Sequence, residues 1–334
     1  MTKPLLMRAL VLESYKSPFV LTEIARPAPG NGQVLVRIMA SGVNPLDTKI
    51  RSGNAAHANV QLPAVLGMDL AGIVETVGPG VEAFKPGDKV YGLAGGIGGL
   101  QGSLAEFAAV DAGLLALQPE NISMREAAAL PLAFITAWEG LVDRAHVRTG
   151  QKVLIHAGAG GVGHVAVQVA QAAGAVVFAT VSAEKIAIVE RFGATAINYQ
   201  NTTLDEYVAE HTNGEGFDIV YDTVGGATLD ASFAAVRTYT GHALSCLGWG
   251  THALAPLSFR DATYSGVFTL LPMLTGKGRA HHGEILREAT KMANAGKLKP
   301  LLDSRSFTLE TALDAHRLVE SGKALGKVVV DVAR

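Results

Sequence analysis

The sequence predicts an α/β fold of two domains, an antiparallel barrel-like domain first and a doubly wound parallel sheet after it. Three observations carry that prediction. Short strand-like runs in the first third are separated by Gly- and Pro-rich turns. After Ser123 the texture changes to helices alternating with short apolar runs. Between the first of these runs and the next helix lies a glycine-rich turn, Ala157-Gly158-Ala159-Gly160-Gly161-Val162-Gly163.

In the first third the runs fall at 8–12, 33–39, 72–77 and 89–93, divided by turns such as Gly78-Pro79-Gly80 and Lys85-Pro86-Gly87-Asp88. Alternation with frequent turns is the pattern of an antiparallel β domain. An amphipathic stretch at 124–142 opens the second part. Buried strands are expected at 152–156, 176–181, 196–199, 218–223, 242–247 and 266–270, with helices between them such as 162–173 and 184–192. Continuous apolar strands separated by helices imply a parallel sheet covered on both faces. The tail reads as a helix at 284–295, a turn, a helix at 309–321 and a strand at 327–331, packing back on the first domain. The domains are therefore expected at 1–125, 126–271 and 272–334.

Composition excludes several functions. A length of 334 residues with 49% apolar and 17% charged residues fits a two-domain globular enzyme. A formal charge of -2 and the lack of any Lys/Arg run argue against a nucleic-acid partner. The lone cysteine, Cys246, allows no intramolecular disulfide and points to a reducing compartment, the cytoplasm. The N-terminal stretch 1–12 carries Arg8 inside it and reads neither as a signal peptide nor as a membrane span. The expected partner is a small molecule.

The glycine turn supplies the chemistry. A strand runs into it and a helix opens at Val162. Gly160 and Gly161 let backbone approach a diphosphate, Ala159 lies in the same turn, Gly163 permits close packing, and the helix start offers free N–H groups. Ala157 replaces the first glycine of the usual fingerprint, so flanking strand and helix must support the assignment. At the end of the second strand stand Ser182, Ala183, Glu184 and Lys185. Ser182 donating to a phosphate and Lys185 neutralising it favour the 2′-phosphate of NADPH. Glu184 argues the other way, and the bland reading of Lys185 is a solvated first-turn helix charge. Asp222 reads as a strand-end cap or a cofactor contact. His156 and Cys246 read as structural.

These blocks resemble the medium-chain dehydrogenase/reductase superfamily, specifically its zinc-free quinone oxidoreductase, zeta-crystallin-like branch. The most specific are Gly42-Val43-Asn44-Pro45-Leu46-Asp47-Thr48 with Arg51-Ser52-Gly53, then Gly67-Met68-Asp69-Leu70-Ala71-Gly72, then Phe84-Lys85-Pro86-Gly87-Asp88-Lys89-Val90. Further on come Ala127-Ala128-Ala129-Leu130-Pro131, the glycine turn, and Gly322-Lys323-Ala324-Leu325-Gly326-Lys327-Val328. The resemblance implies a GroES-like catalytic domain, a central Rossmann domain, a C-terminal return, and a substrate cleft between the domains. It also implies that Asn44 sits beside the nicotinamide and Thr136 lines the cofactor groove. Lys185 and Tyr199 would contact the 2′-phosphate, and Leu247 and Gly248 would pass the nicotinamide ribose. A homodimer is implied, through edge pairing of the 266–270 strand.

Departures from the zinc-dependent relatives are as informative. Those place Cys at Asn44, His-Glu at Met68-Asp69 and a four-cysteine lobe at the 95–102 glycine loop, so no zinc is expected. Quinone-reducing relatives often carry Tyr where this chain has Lys49. Lys49 is then a candidate to polarise a carbonyl oxygen, or simply an exposed lysine, and Asp47 with Arg51 reads as a surface pair. The expected function is NADPH-dependent, metal-independent reduction of a quinone or α,β-unsaturated carbonyl. Asn44 would fix the ring, and water, a hydroxyl or Lys49 would supply the proton. A zinc-free alcohol/aldehyde oxidoreductase and a non-enzymatic, crystallin-like NADPH-binding protein are the competing readings.

Overall fold

Alternation along one long strand organises the first half of the chain. Val34, Val36, Ile38 and Ala40 recur every second residue and are buried, the period at which side chains share one face of a strand. Their strand, Gln33–Val43, pairs antiparallel with Asp69–Val77, with Phe107–Asp111 and with Val328–Asp331 in a seven-stranded sheet. A second sheet joins Leu6–Leu12 to Val20–Ala25 and Ala64–Val65. The structure, a computed structural model, describes residues 5–333. Of the 1–12 stretch, Met1 to Pro4 therefore lie outside it, as does Arg334.

Two units emerge. One comprises the described residues up to Leu132 and again those from Leu270 onward; the other is Ala133–Thr269. The change of unit comes later than 125/126 because helix Met124–Ala128, capped by the Ser123 side chain, packs on Gln33–Val43 and Asp69–Val77. The stretch 124–142 is not one helix. Pro131 has no N–H to continue a helix and instead starts a new one, Pro131–Trp138, which runs into a π-helix at Glu139–Arg144.

Strand register within the first unit places the residues around Asp69. Gly42 pairs with Asp69, and on its other edge the same strand pairs Val43 with Val328. The residues just past those pairs, Asn44 and Lys327, are thereby brought alongside Asp69 although they lie far apart in sequence. Gly42 is required here: a Cβ would run into the carbonyl oxygen of Ala128 and meet the Asp69 side chain at 3.0 Å.

The second unit has six parallel strands, β1 Lys152–Ile155, β2 Val176–Val181, β3 Thr195–Asn198, β4 Ile219–Asp222, β5 His242–Ser245 and β6 Thr263–Gly266. Their order is β3-β2-β1-β4-β5-β6, the doubly wound arrangement that reverses direction at the β1/β4 boundary. Leu154, Phe178, Val220, Phe217 and Phe233 build the core against its helices. The last strand is Thr263–Gly266, not 266–270. As an edge strand with the sequence Thr-Tyr-Ser-Gly it lacks the apolar run that marks the others. Among the described residues no helix is long and apolar enough to cross a membrane.

Candidate active site

The glycine turn follows β1 and leads into helix Gly163–Ala172. Ala157, standing where a glycine is usual, has φ +53°, the left-handed region that an L side chain enters at some cost. Its N–H bonds the Thr180 hydroxyl at 3.1 Å, and the Gly158 N–H bonds the Thr180 carbonyl at 3.0 Å, so β2 pins the turn. A Cβ on Gly158 would sit 2.5 Å from that of Ala179, and one on Gly163 would strike the Ala157 carbonyl oxygen. Gly160 meets nothing nearer than that oxygen at 3.1 Å. No acceptor among the described residues takes the N–H of Ala159, Gly161, Val162 or Gly163. A row of unclaimed N–H groups at a helix start, on a turn tight enough to need glycine, fits a diphosphate.

The other residues expected to hold the nucleotide stand at the same, C-terminal edge of this sheet. Ser182 and Lys185 follow β2, Tyr199 follows β3, and Leu247 and Gly248 follow β5. Ser182 is buried and its hydroxyl donates to Glu184 at 2.5 Å. Lys185 is half-buried, Tyr199 is exposed, and the Leu247 N–H is held by the Ser245 hydroxyl at 3.0 Å. Asp222 accepts from the N–H groups of Val224 and Gly225 at 3.0 Å and from Ser245 at 2.7 Å. It braces the turn after β4 as a cap. His156 is buried against Thr180, and burial pushes its pKa down to about 4, so the imidazole is neutral. Burial first, then the Asp222 charge, pushes the Cys246 thiol up to about 12, which makes it a poor nucleophile.

Thr136 belongs to a buried chain. The Thr269 hydroxyl donates to Glu139 at 2.8 Å and lies 3.0 Å from the Thr136 hydroxyl, while the Tyr221 hydroxyl donates to the Thr136 carbonyl at 2.7 Å. Having given its hydrogen to Glu139, Thr269 meets Thr136 as an acceptor.

In the other unit Asn44 precedes helix Pro45–Arg51 and is 2% exposed. Its side-chain nitrogen donates to Asp69 Oδ2 at 2.9 Å, and its side-chain oxygen accepts from Lys327 Nζ. Lys327 Nζ also lies 3.5 Å from Asp69 Oδ2, and Asp69 Oδ1 accepts the Leu132 N–H at 2.9 Å. Among the described residues the hydrogen-bond and ion-pair partners of Asp69, from Asn44, Leu132 and Lys327, are all donors, so the ionised form is the one these partners fit. Burial pushes its pKa up and the Lys327 charge opposes that. Asp47 is not a surface residue paired with Arg51. It is 1% exposed, caps the Asn44 N–H through Oδ2 at 2.8 Å and keeps Oδ1 without a partner, while Arg51 pairs with Glu320 at 2.6 Å. Burial pushes Asp47 up to about 7. Lys49 is exposed on the same helix. The ammonium beside Asn44 belongs to Lys327, which reading along the sequence does not single out.

Known proteins resemble this chain along nearly its whole length. The family described as "Alcohol dehydrogenase GroES-like domain" matches residues 30–120, and that described as "Zinc-binding dehydrogenase" matches residues 192–330. An "NADPH-dependent alkenal/one oxidoreductase, chloroplastic" of Arabidopsis thaliana is 34% identical over 97% of this chain and 79% of its own. The chain belongs to the medium-chain dehydrogenase/reductase superfamily, in its quinone oxidoreductase-like branch. A quinone oxidoreductase of Homo sapiens is 29% identical over 97% of this chain and 98% of its own. A solved alcohol dehydrogenase superfamily protein from Novosphingobium aromaticivorans superposes with TM-score 0.96 at 56% identity, covering 98% of this chain and 100% of that one. This member of the superfamily is an oxidoreductase with a nucleotide fold suited to a pyridine nucleotide.

One matching family carries zinc in its description, so the donor set matters. Zinc is held by thiolate, imidazole and carboxylate in a tetrahedron. Here the amide of Asn44 and the carboxylate of Asp69 are bound to each other and to a buried ammonium, and the neighbour at 68 is a thioether. Among the described residues no cluster of His, Cys, Asp and Glu is arranged to hold a metal. The residues at this position do not suit zinc.

Proposed function

We propose that this chain is an NADPH-dependent, metal-independent reductase of quinones or α,β-unsaturated carbonyl compounds. The observation that carries the reading is the Asn44–Asp69–Lys327 cluster, an amide, a carboxylate and an ammonium satisfying one another where zinc relatives place metal ligands. An unactivated ketone needs strong electrophilic help at its oxygen. A conjugated system spreads developing charge onto that oxygen by itself, so orientation and one hydrogen-bond donor suffice.

NADPH, when bound, supplies the hydride. The N–H groups at Ala159, Gly161, Val162 and Gly163 hold the diphosphate, and Lys185 with Tyr199 and Ser182 receives the 2′-phosphate. Thr136 and the Leu247–Gly248 segment line the nicotinamide end. Asn44 donates to a carbonyl oxygen, of the substrate or of the nicotinamide carboxamide, and the proton comes from solvent or from the solvent-exposed Lys49. The relative from Arabidopsis thaliana, named for NADPH and for alkenals and enones, supports the cofactor and the substrate class. The test is NADPH consumption with a panel of quinones, enones and simple aldehydes. Turnover of quinones or enones but not of unconjugated aldehydes is expected; turnover of simple aldehydes alone would replace this reading.

A further inference from the structure

We infer that Lys327 and Asp69 are positioning residues that lock the Asn44 side-chain amide in one orientation and leave a single fixed N–H to bind a carbonyl oxygen. An isolated asparagine amide turns over easily, presenting either its oxygen or its NH2 to a given direction. Here both ends are claimed by groups of opposite character. Lys327 only donates, and it takes the amide oxygen. The ionised Asp69 only accepts, and it takes one amide hydrogen at 2.9 Å. A flipped amide would face ammonium with NH2 and carboxylate with oxygen, losing both bonds and gaining two like-polarity contacts.

The lock is rigid for structural reasons. Asp69 is itself fixed by the Leu132 N–H, and the Asn44 backbone N–H is capped by Asp47. Lys327 and Asp69 are 5% and 0% exposed, so water does not compete. Strand pairing of Val43 with Val328 and of Gly42 with Asp69 sets the spacing before any ligand arrives. Of the polar hydrogens of Asn44, one side-chain hydrogen is left, and it points in a direction the clamp determines. Its acceptor is a carbonyl oxygen, of the substrate or of the cofactor carboxamide.

This inference rests on the proposed function for its catalytic consequence but not for its geometry. The test compares N44A, K327M, the triple change N44A with K327M and D69N, and the pair K327M/D69N, which removes both charges together so that no buried ion is left unpaired. K327R is the conservative rescue. The expected result is that K327M/D69N keeps its thermal midpoint near that of the wild type yet loses at least tenfold in kcat/KM, that the triple variant loses no more than N44A, and that K327R recovers most of the activity. A fall in kcat/KM with unchanged NADPH affinity assigns the oxygen to the substrate; weakened NADPH binding assigns it to the carboxamide. Independent of turnover, the Asn44 side-chain 15N–1H2 pair, identified as the one missing in N44A, should be protected from solvent exchange in the wild type and exposed in K327M/D69N. Losses that add in the triple variant, or an Asn44 pair unchanged in K327M/D69N, would overturn the clamp. An enzyme inactive on the whole panel with a protected, Lys327-dependent amide would instead overturn the proposed function and leave the clamp standing.

Discussion

The Ser182 hydroxyl donates to the Glu184 carboxylate across 2.5 Å, at the end of the strand where a dinucleotide's adenosine ribose is read. That bond, more than any other influence, holds Glu184 below the usual carboxylate range, so a negative charge stands beside the residues expected to receive a 2′-phosphate. If the 2′-phosphate of NADPH takes the Ser182 hydrogen, as proposed, that hydrogen is drawn away from Glu184. E184Q removes the charge and loosens the competition, and it is expected to tighten NADPH several-fold while leaving NADH nearly unchanged. Fluorescence titration of both nucleotides checks this; equal effects on the two would contradict it.

Lys185 provides the matching loss. A charge-assisted bond to phosphate is worth roughly 1.5–3 kcal/mol, or about 10- to 150-fold in affinity. K185A should therefore weaken NADPH by at least tenfold and NADH by less than twofold in the same titration.

Gly163 predicts a different pattern. A Cβ there collides with backbone of the glycine turn at Ala157 and lies 2.9 Å from Gly158 Cα, with no flexible side chain to yield. G163A is expected to weaken NADPH and NADH together by tenfold or more, because it disturbs the diphosphate cradle common to both. A selective loss of NADPH alone would show that the turn does not hold the diphosphate.

Asp47 makes stability depend on pH. In the fold its carboxyl keeps a proton up to about pH 7, whereas the unfolded chain releases it near the ordinary value of 3.8. Between those values unfolding sheds a proton, so raising the pH favours unfolding by up to about 1.4 kcal/mol per pH unit. The contribution is present on the acid side and lost as pH climbs to about 7. In D47N the amide oxygen can still cap Asn44, and this dependence disappears. Urea midpoints measured from pH 4.5 to 7.5 should fall for the wild type relative to D47N; parallel curves would mean that Asp47 ionises normally.

The legibility of each feature in the sequence depends on how local that feature is. The glycine turn and the first five of the six parallel strands rest on neighbours in sequence, and periodicity with glycine placement exposes them. The Asn44–Lys327 contact rests on the antiparallel register of the last strand against Gln33–Val43, which links residues 283 positions apart. Its one signal in the sequence is a lone lysine at the head of Val328-Val329-Val330, an odd place for a charge that ends 5% exposed. Asp47 misleads for a similar reason. Its spacing from Arg51 suits a surface pair, but as the third residue of a helix it turns back to cap Asn44, and Arg51 finds Glu320 instead. The edge strand Thr263–Gly266 escapes periodicity because polar residues hide a strand that has only one neighbour.

The central claim is tested most directly by NADPH oxidation with chelator-treated protein on a matched pair, an enone and its saturated ketone, with the product identified. The account predicts turnover of the enone to the saturated ketone at a rate unaffected by chelation, and none of the ketone. Reduction of the saturated ketone, or activity restored only by added zinc, would contradict it.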